Sequence, residues 1–341
     1  MAAGSTNSLA VQANGTVWAW GSNGGGELGN GTSTNSPVPA QVTRITNAIA
    51  ASGGVNHSLA LLANGQVMSW GTNANLQLGN GTSLATNQPV FVSNLTNAIK
   101  VVAGGYHSVA LTAAGEVWCW GYGADGEIGN GQTSSQSVPV KALNLSNIVD
   151  IAAGSYHTQA LKADGTVWAW GYNHEGELGL GNTNNANVPT LVSALGPVQT
   201  IGAGFFSSMA TLANGQSVVW GFQNGSYTLP TPLSPSPAFT KLASGYYGYG
   251  FSLGMTSDGA VWGWGANDRG QLGNGNKTLP PLASFLFVPT LSFAATPAGR
   301  WGQFTRGNIL GLNFCSMVVP VDLEQGVSVN KSSNQIGRAH V

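Results

Sequence analysis

His57, His107 and His157 recur every 50 residues, and each is followed directly by a hydroxyl residue, Ser58, Ser108 or Thr158. Three imidazoles at one repeat position could hold zinc, and a histidine beside a serine could serve a hydrolase. Zinc draws its ligands to within ~2.1 Å of one centre, whereas packed sheets stand ~10 Å apart, so imidazoles carried by successive sheets do not converge. Alternation along a strand sends neighbouring side chains to opposite faces, which separates each histidine from the hydroxyl after it. Asn7 and Ser207 fill the same position in other copies. The expectation is a structural imidazole, hydrogen-bonded at a strand start, with no metal site and no catalytic residue.

A second set of chemical groups is Glu27, Glu127 and Glu177, with Asp125 and Glu175 close by. Carboxylates ringed on one face could attract calcium, which needs several converging oxygens. Gln77 and Gln271 hold the same position, and the surrounding glycine-rich segments lack the tandem copies and regular Asp of calcium-binding nonapeptides. Hydrogen bonding within each loop is the expected role. With 50 glycines, matches to Gly-x-Gly-x-x-Gly arise by chance, and no phosphate-binding Gly-x-x-x-x-Gly-Lys-Ser/Thr occurs. No cofactor is implied.

The elements that must position these residues are copies of one unit. Trp-Gly steps at Trp20, Trp70, Trp120, Trp170 and Trp220 lie 50 residues apart, and a sixth follows at Trp264. Strand-like units of this period read as β-propeller blades, since one small sheet cannot bury both faces until neighbours stack on it. In residues 101–150, an apolar run at Val101 to Ala103 is ended by Gly104-Gly105, and His107 to Thr112 follows as a second strand. Glu116 to Trp120 is the third. Asn-Gly or Asp-Gly pairs at 14–15, 64–65, 164–165, 214–215 and 258–259 predict two-residue hairpins between the second and third strands.

The six tryptophans share one direction and are assigned to the packing between blades. Ala10, Ala60, Ala110, Ala160 and Ala210 are expected to let strands crowd toward the axis. A fourth strand near Val38-Pro39, Val138-Pro139, Val188-Pro189 and Val288-Pro289 is confined by its proline to a sheet edge. The fifth unit replaces the glycine-rich excursion with a proline-rich run from Leu229 to Pro237. The fold is therefore read as all-β, six recognisable four-stranded repeats over 1–292, seven-bladed when complete. Residues 293–335 are a degenerate seventh blade or the start of another segment. Residues 336–341 match the translation of a common sequencing-adapter oligonucleotide and are set aside. Met1 falls at a repeat position filled by Ala51, Val101 and Ile151, so the ends are read as cut.

Charged residues make up 7% of the chain, against roughly 25% in typical soluble domains. Net charge is −1, and the 11 Lys and Arg are scattered singly, which argues against a nucleic-acid partner. No apolar run is long enough for a membrane span. Cys119 and Cys315 form no disulfide framework, and Cys119 occupies a position filled elsewhere by small packing residues.

Gly-Tyr-His-Ser-Val-Ala-Leu at 105–111, Gly-x-Val-Trp-x-Trp-Gly at 115–121 and Gly-Glu-Ile-Gly-Asn-Gly at 126–131 together resemble the repeat of the regulator of chromosome condensation family. The resemblance covers about residues 1–291. It implies a seven-bladed propeller; founding members are exchange factors for the small GTPase Ran that dock on chromatin, while bacterial relatives are often surface modules and one group inhibits β-lactamases. The wedge-shaped insertion of the exchange factors has no counterpart here, nor does a basic tail. Low charge and abundant Asn, Ser and Thr resemble the bacterial type.

The blades are not equivalent. Tyr106, Tyr156 and Phe206 precede the histidine position, and Tyr122, Tyr172 and Phe222 follow Trp-Gly, whereas blades one and two carry Thr6, Asn56, Ser22 and Thr72 there. Both sets lie at the blade end opposite the Asn-Gly turn, and Tyr246, Tyr247 and Tyr249 extend them. Such rings either fill gaps between blades or form an interface core. The functional expectation is a non-catalytic scaffold, monomeric, extracellular or on a cell surface, binding a protein or glycan. The alternative is a regulator of an enzyme or small GTPase, as exchange factor or inhibitor.

Overall fold

A computed structural model describes residues 1–222, 225–245, 251–278 and the backbone of 284–287. Tyr246, Tyr247, Tyr249, the Val288-Pro289 strand and residues 293–341 lie outside them. The described residues form six antiparallel four-stranded sheets, each in simple sequential order. Blade three is representative: Ala98–Ala103, His107–Thr112, Val117–Gly121 and Gln136–Lys141. First strands of successive blades touch one another, and each second strand touches the first strand of the next blade. First strands thus line the inside of the propeller. Fourth strands are the outer edges of the sheets, and Pro39, Pro139 and Pro189, which have no N–H to pair, fall in them.

The hairpins differ from the two-residue form. Gly115 N–H bonds Thr112 O at 2.9 Å and Thr112 N–H bonds Glu116 O at 3.0 Å, which closes a three-residue loop. Only the glycine enters the left-handed region, with φ of +79° at Gly15 and +72° at Gly115. This is a type I turn followed by a bulged glycine. The preceding Asn or Asp acts through its side chain: Asn14 and Asp164 Oδ1 each accept the N–H two residues on, at 3.0 Å. An Asx-type bond fixes the turn.

The core lies in the seams. Trp70, Trp120, Trp170 and Trp220 are fully buried, each clustering with residues of the blade before it, as Trp170 does with Val117, Cys119 and Ile128. The repeated alanines differ from the expectation of a role near the axis. They lie on second strands, one layer out from the inner wall, inside these seam clusters: Ala60 with Trp70, Ala160 with Trp170. Cys119 is also in a seam, where burial pushes its thiol pKa up. Each indole rests on the glycine-rich excursion of the preceding blade. A Cβ on Gly129, whose φ is +74°, would stand 2.8 Å from Trp170 Nε1.

Gly129→Ala should therefore cost roughly 2–4 kcal/mol, combining left-handed strain with overpacking. Gly131→Ala, at φ +81° but no nearer than 3.5 Å to any neighbour, should cost only the roughly 1–2 kcal/mol of backbone strain. Urea unfolding of both variants checks the difference; equal losses would mean that the indole does not bear on this loop.

Candidate functional site

The histidines meet hydroxyls after all, but across blades. His57 Nε2 lies 3.0 Å from Ser108 Oγ, His107 Nε2 2.9 Å from Thr158 Oγ1, and His157 Nε2 2.9 Å from Ser208 Oγ. In blade one Asn7 Nδ2 makes the same contact to Ser58 Oγ at 3.4 Å. Alternation does separate the two side chains within a strand. It also turns each hydroxyl toward the preceding blade, where that blade's histidine waits. Each hydroxyl gives its proton to a loop carbonyl: Ser108 to Gln77 O at 2.9 Å, Thr158 to Glu127 O at 3.2 Å, Ser208 to Glu177 O at 2.7 Å. The imidazole Nε2–H is consequently the donor to the hydroxyl. With every member buried, these pairs present no nucleophile to a substrate.

Burial holds the imidazoles neutral, lowering the pKa to about 3 at His57, about 4 at His107 and about 3 at His157. Among the described residues no group of three or more His, Cys, Asp or Glu is placed to hold a metal ion.

Each glycine-rich excursion is tied internally. Glu127 Oε2 accepts Asp125 N–H at 3.0 Å, Glu177 Oε2 accepts Glu175 N–H at 2.9 Å, and Gln77 Oε1 accepts Asn75 N–H at 2.9 Å. A second staple is Asn173, whose Oδ1 accepts Leu178 N–H at 2.8 Å while Nδ2 donates to Asn182 O and Asn184 O. Asn23, Asn73 and Asn267 repeat it. Sequence reasoning passed over this asparagine; its signal is the spacing Trp-Gly-x-Asn, broken only at Gly123 in blade three among the blades that carry the excursion. Glu127 and Glu177 are fully buried, and their Oε1 atoms have no hydrogen-bond partner. Burial raises both carboxyl pKa values to about 8.

Above these carboxyls the structure gathers most of the sequence-predicted aromatics. Tyr156 is the centre. Its ring lies 5.4 Å from Tyr106, 6.1 Å from Tyr122, 6.0 Å from Tyr172 and 6.2 Å from Phe206, where the planes are nearly parallel at 16°. Phe205 and the exposed His174 join them, the latter 4.5 Å from Tyr172. Phe222 occupies its repeat position at the end of the third strand of blade five, half-buried like the others. Burial, then nearby acids, raises the phenol pKa of Tyr122 and Tyr172. The rings span three adjacent blades on one face, half in and half out of solvent.

A family model for the RCC1-like domain matches residues 1–292. The chain belongs to the RCC1-like domain family. Comparison with curated protein sequences gives no match. Among solved structures, this RCC1-like propeller is similar to human WBSCR16, with 22% identity, 84% of this chain and 81% of that chain covered and a TM-score of 0.75. It is similar also to Prp20p from Saccharomyces cerevisiae, at 24% identity, 84% and 76% coverage and a TM-score of 0.74. These likenesses show the shared fold. No helix of the described residues is long and apolar enough to cross a membrane.

The buried groups of the RCC1-like propeller set opposing pH dependences. Three histidines with lowered pKa leave the unfolded chain holding more protons below about pH 6.5, so stability falls on acidification toward about 3–4. Two glutamates with raised pKa leave the folded chain holding more protons above about 4.5, so their contribution is lost as pH rises through about 8. Between about 4.5 and 6.5 three protons favour the unfolded side and two the folded, which keeps the slope positive; above 6.5 it turns negative. Urea midpoints should therefore peak near pH 6.5. Replacing His57, His107 and His157 by Asn, as blade one does naturally, should flatten the acid limb.

Proposed function

We propose that this chain is a non-catalytic protein-binding propeller that presents the loop face of blades three to five to a partner. The observation that carries the reading is the half-buried aromatic cluster around Tyr156, drawn among the described residues from blades three, four and five. Aromatic rings in a setting poor in charge have the composition of an interface core. Membership of the RCC1-like family supports a regulator or binding scaffold. The Ser–His pairs, sealed in the seams with their protons given to backbone carbonyls, support packing in place of catalysis. A surface poor in charge and rich in Asn, Ser and Thr favours an extracellular or cell-surface module.

A second reading, regulation of an enzyme or small GTPase, is favoured by the likeness to Prp20p, whose structure is described together with its binding to Gsp1p and histones. Nucleotide release from a panel of small GTPases tests it directly, and no acceleration would count against it.

The scaffold reading predicts that Tyr122→Ala, Tyr172→Ala and Phe222→Ala together abolish binding in a biosensor screen against small GTPases and β-lactamases. The triple variant should lose no more than about 5 °C in Tm. Loss of the folded state would make these rings core and remove the reason for the proposal.

A further inference from the structure

Resting on the scaffold reading and sharpening it, we infer that the patch over blades three and four receives a cationic side chain of a protein partner, an arginine or lysine, on Tyr122, Tyr156 and Tyr172 with Glu127 and Glu177 beneath.

Charge distribution is the first ground. Among the described residues the ion pairs join Lys100 to Asp150, Lys141 to Glu116, Lys162 to Asp164 and Arg269 to Asp268. None reaches Asp125, Glu127, Glu175 or Glu177. These four acids share one face with the rings, and no lysine or arginine among the described residues pairs with them; His174, 4.5 Å from Tyr172, is the imidazole on that face. Asp125 takes Asn185 Nδ2 at 3.0 Å, and Glu175 takes the Ser226 hydroxyl, both neutral donors.

The second ground is the pair of orphaned oxygens. Glu127 and Glu177 use Oε2 within their loops, while Oε1 is buried without a partner. The repeat shows where Oε1 points. At the equivalent position Gln77 Nε2 donates to Thr72 Oγ1 at 3.2 Å, and Thr72 is the counterpart of Tyr122. In blade one a Cβ on Gly25 would lie 3.1 Å from Glu27 Oε1 and 2.4 Å from Thr72 Cγ2 of the next blade. In blades three and four the Glu127 carboxyl lies close enough to act on the phenols of Tyr122 and Tyr156, and that of Glu177 on Tyr172. Blade two thus satisfies this corner with a threonine and an amide; blades three and four replace them with tyrosines and a carboxyl whose Oε1 lacks a donor.

Ionising a buried carboxyl is costly, and a cation held over it offsets part of that cost. Tyrosine faces attract a guanidinium or ammonium, and an ionised carboxyl beneath the rings adds Coulomb attraction. Neutral ligands could use the rings but leave the carboxyls unanswered. A cation also draws the proton off a carboxyl whose pKa stands at about 8, so cation binding strengthens with rising pH across that value.

Saturation-transfer NMR on the whole chain, with acetyl-Gly-Arg-Gly-amide as probe and acetyl-Gly-Gln-Gly-amide as neutral control, reads this directly. The arginine peptide should bind, and more tightly at about pH 9 than at about pH 7; the glutamine peptide should not. Glu127→Gln with Glu177→Gln keeps the fold, since Gln77 and Gln271 stand at this position naturally. It should weaken the arginine peptide by about tenfold and abolish the pH dependence. Equal binding of both peptides, no binding of the arginine peptide, or an undiminished double variant would each overturn the inference. If a protein partner were lost in the aromatic triple variant but kept by the double glutamine variant, the scaffold reading would stand and the cation would fall.

Discussion

One backbone carbonyl per seam holds this propeller together. The oxygens of Glu27, Gln77, Glu127 and Glu177 each accept two bonds from the next blade, an indole N–H at 2.7–2.9 Å and a hydroxyl, which fills both lone pairs. The hydroxyl is in turn held by a histidine or asparagine of the blade that owns the carbonyl. Indole burial at roughly 25 cal/mol per Å² contributes on the order of 4–6 kcal/mol per seam before ordering entropy is subtracted. The carbonyl is what orients that burial, because it sits at the turn braced by the buried glutamate or glutamine and, except in blade three, by the buried asparagine. Loop, indole, hydroxyl and imidazole therefore stand or fall together.

Where one part is missing, the others change with it. Blade five has no glycine-rich excursion, and Trp264 of blade six is buried with no partner for its Nε1. It stacks on Phe239 at 5.5 Å and 17°. Phe239 fits because the repeated alanine has become Gly254, where a Cβ would lie 2.5 Å from the ring. Phe251 takes the histidine position in the same blade, cross-strand from Gly265 as His157 is from Gly171. The tryptophan of this seam is held by an aromatic ring where the others are hydrogen-bonded.

Much of the fold was legible in the sequence because the repeat fixes strand count, strand order and the common direction of the tryptophans. The turn type was not, since Asn-Gly serves both two-residue hairpins and three-residue loops with a bulged glycine, and only backbone angles separate them. The histidine contacts were legible as structural but not in detail. His57 meets Ser108, 51 residues on, and that offset depends on how blades tilt against one another. Of the candidate site, the asymmetry of Tyr106, Tyr122, Tyr156, Tyr172 and Phe206 could be read directly. Its meeting point on Tyr156 could not, nor could the orphaned oxygens of Glu127 and Glu177, since both depend on side-chain directions. The asparagine of Trp-Gly-x-Asn was visible and passed over, because one polar residue in a glycine-rich loop resembles solvated surface.

Hydrogen exchange of the indole Nε1 protons, followed by NMR on the native protein, tests the seam most directly. Trp70, Trp120, Trp170 and Trp220 should exchange slowly and together, as protons released only when blades separate. Exchange of those four at the rate of a solvent-exposed indole would contradict the account.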